Sequence, residues 1–202
     1  MKLGHPQTPR VQQWLADNLK KGAVVGADSK LALVASYKMR KNFLEEKGIT
    51  FAIKDENLVD IVWDKDADAH PSIPKNKVFE LPLEFAGRSS SEKQTAVEDK
   101  LKSLGANALL VTTLDDICWL LNMRGNDIAF NPVFFAYLLF LRAGELRLYI
   151  DADKVLDVAS SLEMSGVKIC PYTQIAEDLR SLPQLEGRTV AYDENACNAM
   201  LL

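Results

Sequence analysis

Hydrolytic metal chemistry needs carboxylates and imidazoles that converge, and this chain offers two histidines, His5 and His70. Each stands beside a proline in a polar segment, and neither belongs to a motif with metal-ligand spacing, so both read as surface imidazoles. Asp115 and Asp116 come nearest to an acid–base pair. Adjacent residues on a helix point about 100° apart, and carboxylates just after Thr113 are better explained by the favourable field at a helix start. Ser89-Ser90-Ser91 lacks a following Gly-Lys and marks a helix start, not a phosphate loop. There is no G-x-G-x-x-G, C-x-x-C or nucleophile-elbow motif. The turn from Arg124 to Asn131 keeps some chemical interest. Arg124 has a planar, permanently charged fork that can hold a carboxylate, Gly125 lets the chain turn, and Asn126, Asp127 and Asn131 can fix the backbone around it. Two readings stay open: Arg124 pairs with Asp127 and tightens the loop, or the fork faces a substrate.

The elements around that turn are the most apolar in the chain. Thr113 followed by Asp116 resembles a capping box. Leu114, Ile117, Cys118 and Leu121 then fall on one helical face, and Trp119 and Leu120 make the rest of the surface apolar, so this helix is expected to be buried on most sides. From Asn122 the chain must surface and reverse, with Asn131-Pro132 closing the turn. Val133 to Leu141 is a near-continuous apolar run, the length of a strand covered on both faces. Trp119 and the pair Phe134-Phe135 read as core.

One grammar recurs along the chain. Thr8-Pro9 starts a helix with Val11, Trp14, Leu15 and Leu19 inward, Gly22 ends it, and Ala23 to Gly26 is a strand. Asp28 or Ser29 caps a helix carrying Leu31, Val34, Ala35 and Phe43, Gly48 stops it, and Ile49 to Ile53 is a strand. Ser89 and Glu92 form a capping box, Val97, Leu101 and Leu104 face inward, Gly105 ends the helix, and Ala108 to Thr112 is a strand. Gly166 precedes a strand at 167–170 and Gly187 one at 189–192. Asp153 to about Met164 and Thr173 to Leu182 read as helices, and Glu194 to Leu202 as the start of another. Helix, glycine, strand, repeated in this way, predicts α/β architecture. A hairpin around Ala143-Gly144-Glu145 makes the sheet mixed.

Between Asp64 and Leu83 charge and Pro71, Pro74 and Pro82 dominate, which predicts a boundary. The expected organisation is a first unit at 1–65, a linker at 66–83 and a second unit at 84–202. The first unit holds few strands for a core of its own. Its open strand edge is expected to be covered by an upstream segment or a second copy.

With 202 residues, 48% hydrophobic and 26% charged, the chain can bury a sizeable core. A net charge of -4 gives no basic excess for nucleic-acid binding. No apolar run reaches a membrane span, and the N-terminus lacks the apolar core of a secretory signal. Cys118, Cys170 and Cys197 are odd in number and lie in apolar settings, which suits reduced thiols in a cytoplasmic protein.

The string Leu114 to Tyr137, LDDICWLLNMRGNDIAFNPVFFAY, resembles the matching segment of the Xaa-Pro aminopeptidases (aminopeptidase P), which are metallopeptidases of the pita-bread fold. The likeness continues through Lys54-Asp55-Glu56-Asn57-Leu58-Val59-Asp60 with Trp63, and more weakly over nearly the whole chain. It implies two creatinase/prolidase N-terminal-like domains, α/β with mixed sheets flanked by helices, the first incomplete and the second possessing an end that is cut short. It also implies that catalysis belongs to a separate domain with two Asp, one His and two Glu around two metal ions, usually manganese, and that no cofactor sits in this chain. The family's catalytic motifs are absent, so the chain alone is expected to be inactive. Its implied partners are its own catalytic domain, a second copy in a homodimer and a peptide with proline in second place. The turn at Arg124, Gly125, Asn126, Asp127 and Asn131 would then shape substrate access. A free-standing α/β interaction module and the N-terminal part of a prolidase-like dipeptidase are the alternatives.

Overall fold

The computed structural model describes residues 5, 7–63, 71–142, 144–182 and 185–202. His70, residues 66–70 of the expected linker and Ala143 of the hairpin lie outside the described residues. The chain divides into two compact units, one of residues 1–70 with 194–200 and 202, the other of residues 71–193 with 201.

In the first unit, α1 (Val11–Asn18), β1 (Val24–Asp28), α2 (Val34–Glu45), β2 (Thr50–Lys54) and α3 (Leu58–Trp63) follow one another. The strands pair in parallel, Val24 beside Thr50 through Asp28 beside Lys54, so α2 is the crossover that a parallel pair requires. Leu44, Ile49 and Phe51 form the core, with Leu15, Leu19, Val25 and Tyr37 against it. Helix starts differ from the sequence expectation. Helix α1 begins after Arg10, which holds the extended backbone of an N-cap, while the Thr8 N–H closes a turn on His5 O. Neither Asp28 nor Ser29 caps α2. Asp28 binds the Lys30 N–H and the Asn57 amide, and Ser29 Oγ donates to Asp55 at 2.8 Å, tying the ends of β1 and β2 together. The N–H groups of Val34 and Ala35 are satisfied instead by the carbonyls of Cys197 and Glu194. Glu194 to Leu202 is thus no helix beyond a single 3-10 turn at Ala199–Leu201; the segment from Glu194 to Met200 caps the first unit.

The second unit is built on a five-stranded mixed sheet in the order β8-β7-β6-β4-β9. Its strands are β4 (Ala108–Val111), β6 (Tyr137–Leu141), β7 (Glu145–Tyr149), β8 (Val167–Cys170) and β9 (Val190–Ala191). Strand β6 runs antiparallel to β4 and β7, while β4 and β9, and β7 and β8, are parallel pairs. A short ladder joins β3 (Phe79–Glu80) to β5 (Met123–Arg124). Helices α4 (Leu83–Ala86), α5 (Ser90–Leu104), α6 (Leu114–Leu121), α7 (Ala159–Met164) and α8 (Ile175–Ser181) complete the unit.

The register decides which face each residue takes. Leu138 lies beside Leu148 and Phe140 beside Leu146, and these join Leu101, Ile117, Leu120 and Leu162 from the helices in one cluster. The opposite face carries Arg147 and Tyr149 and packs on α8. There Tyr149 OH donates to Asp178 Oδ2 at 2.7 Å, Arg147 Nη1 donates to the same oxygen at 3.2 Å, and Gln174 Nε2 donates to Oδ1 at 3.0 Å. Burial first, and then the bond to Asp178, raise the Tyr149 phenol above its usual range, so it remains a donor.

Several expectations hold in detail. The Ser89–Glu92 capping box forms, with the Ser89 N–H 2.8 Å from Glu92 Oε2. Gly105 ends α5 at φ +67, a conformation that favours a residue without Cβ. Strand β6 is shorter than expected, because residues 132 and 133 pair with the polar turn. Trp119 is not core but 48% exposed. Asp153 to Met164 is broken into a 3-10 turn at Ala152–Lys154 and α7, since Lys154 is drawn inward.

All three cysteines are buried thiols. Burial pushes the Cys197 thiol up to about 11, against about 8.5 for an exposed thiol. The folded state therefore holds that proton more tightly than the unfolded state. The resulting stability is complete below the unfolded value and is lost as pH rises towards the folded one. Urea midpoints of the chain should fall between about pH 8.5 and 11, and Cys197→Ala should flatten that slope. An equal slope in the variant would assign the alkaline loss to other groups.

Candidate functional site: a clamped polar turn

The turn from Arg124 to Asn131 is fixed from several sides. The Gly125 N–H donates to Pro132 O at 3.3 Å and the Asp127 N–H to Val133 O at 3.0 Å, so its two arms run together. Ile128 and Asn131 bridge at the tip, and Asn126 O accepts from Asn76 Nδ2 at 2.8 Å. Gly125 is needed for close approach, not for positive φ: a Cβ there would stand 2.8 Å from Phe134 Cβ. The positive φ falls on Phe130, at +63, and its side chain is fully exposed.

Asp127 does not pair with Arg124, so the simpler sequence reading of the loop is overturned. Its side chain points inward and is 0% exposed, where it meets Lys154 Nζ, itself 2% exposed. Asp127 Oδ2 also accepts the Phe135 N–H at 2.7 Å, while Oδ1 is buried without a hydrogen-bond partner. Lys154 O in turn accepts the Val78 N–H at 2.8 Å. One ion pair thereby joins the turn, the start of β6, the exit from β7 and the segment before β3. The paired arms leave Asp127 on the core side, where the long stem of Lys154 reaches it and Arg124 does not.

Arg124 has a different task. Its Nη1 donates to Cys118 O and Met123 O, both at 2.9 Å, near the carboxyl end of α6. That end is crowded with donors. Lys93 Nζ donates to Trp119 O at 2.8 Å and to Asn122 Oδ1, and Ser90 Oγ to Leu120 O at 2.8 Å. Asn122, left-handed at φ +54, also donates to Arg88 O at 2.8 Å. Cations belong where helix carbonyls are unpaired and the dipole is negative. Lys93 is 3% exposed and sits 4.9 Å from the Trp119 ring centroid. Burial first, then Arg124 and Arg88, hold the Lys93 ammonium below its usual range. The Thr113 hydroxyl bonds the Asp116 carboxylate and no backbone N–H, so neither reciprocal bond of the expected capping box is made.

The Nε and Nη2 donors of Arg124 have no partner among the described residues. The turn can therefore offer part of a guanidinium fork to an anion from a fixed backbone. Lys93 and Lys154 escaped the sequence reading. Lys93 carried a signal, since it lies one turn before Val97 on the stripe that Leu101 continues. Lys154, in Asp-Ala-Asp-Lys, carried none. His5 is exposed. Among the described residues no group of three or more His, Cys, Asp or Glu is placed to hold a metal ion. These residues do not fit a metal centre.

The mixed α/β architecture agrees with what comparison with known proteins finds. The chain belongs to the creatinase/prolidase N-terminal domain family, whose pattern matches residues 69–202. Among relatives, it is 37% identical over 196 residues to Xaa-Pro aminopeptidase 1 of Dictyostelium discoideum, covering 95% of this chain and 31% of that protein. It is 40% identical over 185 residues to a probable Xaa-Pro aminopeptidase P of Paracoccidioides lutzii, covering 91% and 29%. A solved structure, the X-prolyl aminopeptidase of Caenorhabditis elegans, matches with a TM-score of 0.87 and 28% identity over 100% of this chain and 33% of that one. That protein is described as a cytosolic enzyme with a di-nuclear active site. The chain thus spans about a third of the length of these relatives.

Lys154→Met leaves the Asp127 carboxylate buried and unpaired, and should lower the unfolding free energy by about 3–5 kcal/mol. Adding Asp127→Asn removes the stranded charge and should restore more than half. Urea denaturation of the three proteins measures both effects. A single variant as stable as the parent would remove the clamp from the account.

Proposed function

We propose that the chain is the non-catalytic N-terminal portion of an Xaa-Pro aminopeptidase, and that the turn at Arg124–Asn131 lines the approach to an active site held by a separate domain. The observation that carries this reading is likeness over more than nine-tenths of the chain to proteins bearing that name. The whole protein would release the residue that precedes proline, with a water activated by two metal ions, manganese by expectation, in the catalytic domain. It would act in the cytoplasm as a homodimer to which these two units contribute. No helix among the described residues is long and apolar enough to cross a membrane. The free donors of Arg124 and the rigid backbone behind them support the access role, since an anionic group of a short peptide could be held without rearranging the turn.

In an intact protein containing this region, Arg124→Ala should lower kcat/KM for Xaa-Pro peptides about tenfold, the scale of one charged hydrogen bond. The thermal midpoint should shift little, because Lys93, Ser90 and Asn122 still cap α6. Unchanged kinetics on di-, tri- and longer peptides would refute the access role. Separately, the 202-residue chain supplied with manganese and an Xaa-Pro peptide should release no amino acid; release would refute the non-catalytic assignment.

A further inference from the structure

We propose that the second unit carries a binding site for a free α-amino acid with an apolar side chain, at the carboxyl ends of β7 and β8. A cavity of about 460 Å³ opens there, within the roughly 300–1,000 Å³ that encloses small ligands. The two strands are parallel, and the segments leaving them, Ile150 to Ala152 and Pro171 to Thr173, line the space. Carboxyl ends of strands are where α/β sheets leave room for ligands. The walls are mainly apolar: Pro74, Phe135, Ile150, Ile169 and Tyr172. The Tyr172 ring is preset by stacking on Tyr137, with 5.1 Å between centroids. Phe135 is held from behind through its N–H on Asp127.

The polar part of the lining decides the ligand class. Lys75 Nζ and Asp151 Oδ2 stand 3.0 Å apart and are 67% and 36% exposed, so they form the mouth. An ion pair this exposed stabilises the fold little and opens at small cost. Lys75 has two further N–H donors, and among the described residues Asp151 otherwise accepts only the Asp153 N–H at 3.1 Å. A cation and an anion side by side are the complement of a zwitterion: the ligand carboxylate meets Lys75, its ammonium meets Asp151, and its side chain enters the cavity. An acid alone would face the like charge of Asp151, and an amine alone that of Lys75. Lys154, also in the lining, is already committed to Asp127 and does not upset this balance.

The test is a methyl-NMR titration of the 202-residue chain with L-phenylalanine, 3-phenylpropionate, which lacks the amine, and phenethylamine, which lacks the carboxylate. L-phenylalanine should shift the methyl signals of Ile150 and Ile169, and each truncated analogue should bind roughly fivefold more weakly, the scale of one exposed ion pair. Lys75→Met, a surface change, should erase the preference for L-phenylalanine over phenethylamine. Ile169→Trp should fill the cavity and abolish the shifts of Ile150. No shift at saturating L-phenylalanine, or analogues that bind as tightly as the amino acid, would overturn the proposal.

Discussion

The buried pair of Asp127 and Lys154 is the constraint on which the second unit turns. Each charge loses its hydration on burial, a cost of several kcal/mol per ion, and one oxygen of Asp127 has no hydrogen-bond partner among the described residues. Such a pair is poor as a source of stability compared with apolar residues of equal volume. Its effect is directional. A methionine and a leucine in these places would pack in several ways, whereas the charges meet in one, with the Phe135 N–H on the same oxygen. The strand β6, the turn before it and the segment ending at Val78 all take their relative positions from that meeting point.

The opposite face of the sheet repeats the solution with better satisfaction. Asp178 is met by Arg147, Tyr149 and Gln174, so both its oxygens are engaged, and Arg147 also reaches Glu145 at 2.8 Å. Helix α8 has only seven residues, too few to hold itself by backbone bonds alone, and this polar contact sets where on the sheet it rests. At the end of α6 a cation is buried without any carboxylate. Lys93 is met by one helix carbonyl, an amide oxygen and an aromatic face, which suffices because the helix end is itself negative.

The sequence revealed what local chemistry decides. The glycines at 22, 48, 105, 166 and 187 all take φ between +64 and +89 and separate helix from strand as expected, and the mixed sheet follows from the hairpin at Gly144. What stayed hidden was decided by distant partners. The first turn of α2 is capped by carbonyls of Glu194 and Cys197, which no rule about neighbouring side chains can supply. Arg124 and Asp127, opposite charges three residues apart in a turn, invited a local pair. Burial chose otherwise, because Asp127 faces the core and only Lys154 reaches it there. Trp119 stands on a helix whose residues are apolar on most sides, yet its ring covers Lys93 and remains half in water.

Stable packing and open polar groups divide the second unit between them. The turn is closed wherever it could move: paired arms, a bridged tip and an inward carboxylate. Yet among the described residues it leaves two donors of Arg124 unspent, and it places Phe130 in water in a conformation that costs a non-glycine residue about 1–2 kcal/mol. The cavity beyond β7 and β8 shares two supports with the turn, since Phe135 and Lys154 line the one and anchor the other. Loss of the buried pair would therefore loosen both at once, whereas loss of the Lys75–Asp151 pair at the mouth would touch neither backbone. Function that depends on the turn must accordingly be more sensitive to a change in the core than its surface position suggests.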